Sequence, residues 1–100
     1  MRKVITKKEI KELQSNNAHV MLVDIRSSVE YEKQHVPSTT NIPTEELQNQ
    51  IQSFSNNGVI VCICNHGKER SQQAAETLYS KGFENTFYLE GGTAEWLALK

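Results

Sequence analysis

Apolar and polar positions change period several times along the chain, and the changes lay out strands alternating with helices. Val4-Ile5 is an apolar pair that predicts a brief strand. Thr6 with Glu9 three residues on is a capping box, opening a helix that turns Ile10 and Leu13 inward and ends in Ser15-Asn16-Asn17. Val20 to Ile25 is a near-continuous apolar run, the pattern of a parallel strand covered on both faces. Ser27 and Glu30 form a second capping box, for a short helix holding Val29 and Tyr31 that His35-Val36-Pro37-Ser38 breaks. Asn41-Ile42-Pro43 predicts a further short strand, and Thr44 a cap for a helix with Leu47, Ile51 and Phe54 on its inward face. Ser55-Asn56-Asn57-Gly58 is a turn cluster feeding a second apolar run, Val59 to Ile63.

The run stops at Cys64, polar and small residues follow, and Ala74, Ala75 and Leu78 then mark one face of a helix with Gly82 as its left-handed C-cap. Thr86 to Leu89 is another strand. Gly91-Gly92 turns the chain, and Thr93 is expected to cap a last helix bearing Trp96 and Leu97. Strands alternating with helices mean an α/β fold with a mainly parallel sheet. With no repeat, linker or low-complexity segment, residues 1–100 read as a single domain.

Composition narrows the function classes. Lys and Arg number 11 against 12 Asp and Glu, so no overall basic surface invites nucleic acid. The opening residues lack the apolar core of a secretory signal, and no apolar run reaches membrane-spanning length. Cys62 and Cys64 are too close in sequence to staple a fold, which fits a reducing compartment; the expected location is cytoplasmic.

Chemistry concentrates at Cys64. It stands where a strand stops and a helix is about to start, so unpaired backbone N–H groups and the positive end of a helix dipole converge on the loop that holds it. Such places stabilise a thiolate, the nucleophilic form of cysteine.

Three stretches resemble the rhodanese family of sulfurtransferases, in its small single-domain form. The first is Asp24-x-Arg26 with Glu30-Tyr31, His35-Val36-Pro37 and Asn41-Ile42-Pro43, although Gln34 and Ser38 replace the usual glycines. The second is Cys64-x-x-Gly67 with Arg70-Ser71-x-x-Ala74-Ala75-x-x-Leu78, and the third Leu89-x-Gly91-Gly92-x-x-x-Trp96. The resemblance implies a rhodanese-like α/β fold, with a five-stranded, mainly parallel central sheet and helices on both faces, and a cysteine that carries sulfur as a persulfide. Cys64 is then the nucleophile. The loop Asn65, His66, Gly67, Lys68, Glu69, Arg70 and Ser71 is the anion cradle, with Gly67 permitting close approach and Lys68 and Arg70 attracting the donor. The expected partners are a small anionic sulfur donor such as thiosulfate, a thiol or cyanide-like acceptor, and a sulfur-relay protein. No metal and no organic cofactor is expected.

The loop departs from the family in length. Five residues separate Cys64 from Arg70 where four are usual, and Cys-x5-Arg is the loop of cysteine phosphatases and arsenate reductases built on this fold. Oxyanion chemistry is therefore the second reading, although Ile63 stands where those enzymes have His. A non-turnover sulfur-relay or binding module is the third. Other residues read as structural: Cys62 as inert core, Asp24 and Arg26 as an ion pair at the strand's carboxyl end, His35 as a turn residue, Trp96 as core closure, and Lys7, Lys8 and Lys11 as a solvated helix face. His66 reads as a solvated loop residue rather than a metal ligand.

Overall fold

The computed structural model describes residues 3–54 and 57–98. Five strands, β1 (Val4–Ile5), β2 (Val20–Asp24), β3 (Thr40–Asn41), β4 (Val59–Ile63) and β5 (Thr86–Leu89), form one parallel sheet in the order β1-β5-β4-β2-β3. Four helices accompany them: α1 (Lys7–Ser15), α2 (Ser28–Lys33), α3 (Glu69–Ser80) and α4 (Gly92–Ala98). The five-stranded parallel α/β fold expected from the sequence is thus present.

Alternation along β4 splits the core into two layers. Cys62 and Cys64 share one face of the sheet with Val23, Ile25 and Tyr88, covered by Ala74, Ala75 and Leu78 of α3 and by Leu47 and Phe54. Val61 and Ile63 share the other with Leu22 and Leu89, under Ile10 of α1 and Trp96 of α4. Burial on both faces accounts for the unbroken apolar runs of β2 and β4.

Both expected capping boxes form. Thr6 accepts from the Glu9 N–H while Glu9 reaches back to Thr6, and Ser27 and Glu30 do the same for α2. Two expected caps do not. Thr44 caps no α-helix; the chain makes two 3₁₀ segments, Thr44–Glu46 and Gln48–Ser53, and no side chain caps either. The Thr44 N–H is drawn to the carbonyl of Ile25 at 3.3 Å, and the extended residue before the turn is Pro43. Leu47, Ile51 and Phe54 still pack on the core. Thr93 lies inside α4, which begins at Gly92. Trp96 is buried as expected, whereas Leu97 and Val29 are exposed. Within the turn expected at 55–58, residues 55 and 56 lie outside the described residues. Gly82, at φ +104°, follows α3 in the left-handed region expected of it.

Strand order decides where a site can form. The chain leaves β2 to build β3 on one side and leaves β4 to build β5 on the other, so the segments after β2 and β4 diverge and open a crevice at their carboxyl ends. Asp24 is in register with Ile63, which sets Arg26 beside the Cys64 loop.

Candidate functional site

Cys64 is the first residue beyond β4, buried with only 3% exposure, and its sulfur lies 3.1 Å from the hydroxyl of Ser71. Lys68 is the N-cap residue of α3, and no side chain caps this helix. The N–H of Ser71, third residue of α3, instead faces the Cys64 sulfur together with the N–H groups of Lys68 and His66. The sulfur thus occupies the place where a capping oxygen would normally sit, at the positive end of the helix. Burial resists ionisation, but the Ser71 hydroxyl and these N–H groups outweigh it, holding the Cys64 thiol below its ordinary range. Every one of these donors is uncharged. Cys62, one pleat behind on the same face, is fully buried, and burial pushes its thiol up to about 12, with the neighbouring Cys64 adding to the effect. One cysteine is tuned to ionise and the other is held protonated.

Loop shape is fixed from both sides. Gly67 adopts φ +69°, and a side chain there would meet the Leu89 carbonyl at 2.5 Å and the Gly91 nitrogen at 2.7 Å. Its missing side chain makes room for the turn between β5 and α4 rather than for a ligand. Gly92 is equally confined, by the Cys64 carbonyl at 2.4 Å from where its Cβ would be. The N–H groups of Thr93 and Ala94 then donate to the carbonyls of Cys64 and Asn65, at 2.9 and 3.0 Å. Loop carbonyls thus occupy the start of α4, the place the sequence assigned to a Thr93 cap, and the buried Thr93 hydroxyl has no hydrogen-bond partner among the described residues.

On the opposite side a polar chain runs through Asp24, Arg26, Asn65, Glu30 and Arg70. Arg26 donates through Nε and Nη2 to Asp24, both residues being buried, and through Nη2 to the Gln34 carbonyl at 2.6 Å. Its Nη1 reaches Asn65 Oδ1 at 2.9 Å, and Asn65 Nδ2 donates to Glu30 Oε2 at 2.9 Å. Arg70, about half exposed, meets the same carboxylate at 3.3 and 3.4 Å. Arg70, with the Ser27 N–H and Asn65, holds the Glu30 carboxyl down at about 2. Asp24 and Arg26 are the ion pair expected from the sequence, with a hydrogen bond into the loop besides.

Of the eight expected site residues, Cys64, His66, Lys68 and Ser71 meet around the sulfur, three of the four through backbone groups. Asn65 turns its amide away to Arg26 and Glu30. Arg70 points to Glu30, and Glu69 is the exposed first residue of α3. Cys64, Asn65, His66, Lys68, Glu69 and Arg70 line an open cleft of about 360 Å³. Glu30 is the residue that sequence reasoning missed. It read as a helix cap, and it is one, yet the carboxylate that caps α2 also anchors the loop. Among the described residues, no group of three or more His, Cys, Asp or Glu side chains is placed to hold a metal ion. Nor is any helix among them long and apolar enough to cross a membrane.

A cysteine at the carboxyl end of the central parallel strand, ringed by loop N–H groups and a helix start, defines a class of thiol sites on an α/β sheet. The model of the rhodanese-like domain matches residues 6–99, and the chain belongs to that family. It is 33% identical over 75 residues to a candidate sulfur carrier protein, YrkF of Bacillus subtilis, covering 75% of this chain but 40% of that protein. It is 32% identical over 77 residues to the thiosulfate sulfurtransferase GlpE of Shewanella oneidensis, covering 77% of this chain and 75% of that one. A solved structure from Rhodopseudomonas palustris, described as a protein of unknown function and possible tyrosine phosphatase, superimposes with a TM-score of 0.84 at 25% identity, over 97% of this chain and 80% of that one.

Proposed function

We propose that the chain is a sulfurtransferase that moves sulfane sulfur from an anionic donor such as thiosulfate to a thiol or cyanide-like acceptor through a persulfide on Cys64. The observation that carries this reading is the convergence of the Ser71 hydroxyl and the His66, Lys68 and Ser71 N–H groups on one sulfur. The thiolate attacks the outer sulfur of thiosulfate, the sulfur–sulfur bond breaks, and sulfite leaves with the electron pair. The persulfide is itself an anion, and the same donors suit it. An acceptor thiolate or cyanide then takes the outer sulfur and returns Cys64 as thiolate. None of these steps calls for a metal or organic cofactor. A single domain working in the cytoplasm, with a sulfur-relay protein as donor or acceptor, completes the reading.

Intact mass after incubation with thiosulfate tests it. A reducible gain of one sulfur atom is expected, absent in Cys64→Ser; persistent gain in that variant removes Cys64 from the mechanism. The Cys-x5-Arg spacing favours oxyanion chemistry as the second reading. No sulfur gain, with turnover of an aryl phosphate or arsenate, would establish it in place of the first. Silence in both assays would leave a relay or binding module.

A further inference from the structure

The mouth above Cys64 is not a basic funnel. Two cations line the cleft, Lys68 and Arg70, and Glu69 stands between them in sequence and lines the same cleft. Arg70 is already engaged by Glu30. The adjoining groove, which shares His66 and Lys68 with the cleft, carries Glu90 and Glu95. The nearest buried cation, Arg26, is bound to Asp24. Uncharged donors hold the sulfur, so the cleft stabilises one negative charge at its floor while its rim stays close to neutral. A site that concentrates a dianion by its field needs cations in excess at the rim, because the gain scales with the ligand's charge.

We infer that Glu30 and Glu69 determine donor specificity: by offsetting Arg70 and Lys68 they favour a sulfane donor bearing one negative charge over the dianion thiosulfate. The inference rests on the sulfurtransferase reading and names its donor class. Chemically the two donors are equivalent. Cys64 thiolate takes the outer sulfur of either, the bond between the two sulfurs of the donor breaks, and sulfite leaves from thiosulfate or a sulfinate from an alkyl thiosulfonate. Charge is conserved in both cases.

The test compares kcat/KM for methanethiosulfonate, a monoanion, and thiosulfate, with cyanide as common acceptor, in the wild-type protein, Glu69→Gln and Glu30→Gln. Glutamine at position 30 keeps an acceptor for the Ser27 N–H and for Asn65, and the capping box tolerates it. The wild type is expected to prefer methanethiosulfonate. Each substitution should move the ratio toward thiosulfate by roughly fivefold, mainly through KM and less at high salt, the scale of one charge pair near solvent. Should Glu30→Gln fail to fold, Glu69→Gln, an exposed change, decides alone. Wild-type preference for thiosulfate, or a ratio that no folded variant moves, overturns the inference and leaves the sulfurtransferase reading intact. Absence of a persulfide with either donor overturns both.

Discussion

Ser71→Ala probes how the Cys64 thiolate is stabilised. In the thiol form the sulfur donates to Ser71 Oγ at 3.1 Å, and the Ser71 hydroxyl donates to the Lys68 carbonyl at 3.2 Å. On ionisation the hydroxyl's single proton turns to the sulfur. The Lys68 carbonyl loses that donor and keeps the Gln72 N–H, at 3.2 Å. A hydrogen bond to a charged group contributes about 1.5–3 kcal/mol, while the two neutral bonds given up contribute about 1 kcal/mol for the hydroxyl and less for the weak thiol donor, so the exchange favours the thiolate by up to about 1.5 kcal/mol. Taking about 1.4 kcal/mol as a factor of ten, alanine should lower the thiolate population by up to about tenfold wherever the thiol still predominates. The assay is the rate of Cys64 alkylation by iodoacetamide across pH, with thiolate ultraviolet absorbance as an independent readout and Cys64→Ser as the blank. The curve should move to higher pH with its plateau kept, since the N–H groups remain. An unmoved curve in a folded Ser71→Ala protein would refute the share given to the hydroxyl and leave the backbone N–H groups as the donors that stabilise the thiolate.

The other predictions concern what holds the loop. Gly67→Ala should cost about 2–4 kcal/mol, combining a left-handed residue with a carbonyl it would overlap, and thermal melting would register this as a large drop. A near-native melting temperature would mean that the turn after β5 can yield. Arg26→Met should destabilise the fold by about 3–5 kcal/mol in urea unfolding, because it strands the buried Asp24 carboxylate; a neutral outcome would show that water reaches Asp24. Glu30 should give stability a pH signature. Its carboxyl is lowered from an ordinary 4.5 to about 2, so the unfolded chain binds the proton first as pH falls. The Glu30 contribution is therefore present above pH 4.5 and lost as pH falls toward 2. Urea midpoints of Glu30→Gln should decline less steeply than those of the wild type in that window, and parallel curves would contradict the pairing with Arg70.

The sequence by itself determined the elements and their class. Period and punctuation located β2, β4, α1, α2 and both capping boxes, because those signals rest on contacts within a few residues. They also located Cys64 between strand and helix, where backbone N–H groups converge. Local signals failed at Thr44 and Thr93, where contacts distant in sequence hold the backbone. The Thr44 N–H went to Ile25, and the α4 start went to the Cys64 and Asn65 carbonyls. Only the tertiary structure decided the roles of loop residues that look alike in the sequence. Arg70 read as a cation aimed at the substrate, but parallel packing of β2 beside β4 brought Glu30 within its reach, across 40 residues. The same packing turned Asn65 from ligand donor to strut, while pairing of β5 on the other side of β4 turned Gly67 from an opening for substrate to a seat for the β5–α4 turn. Hydrophobic period records which residues are buried; which charge meets which depends on strand order, and that is a property of the folded sheet.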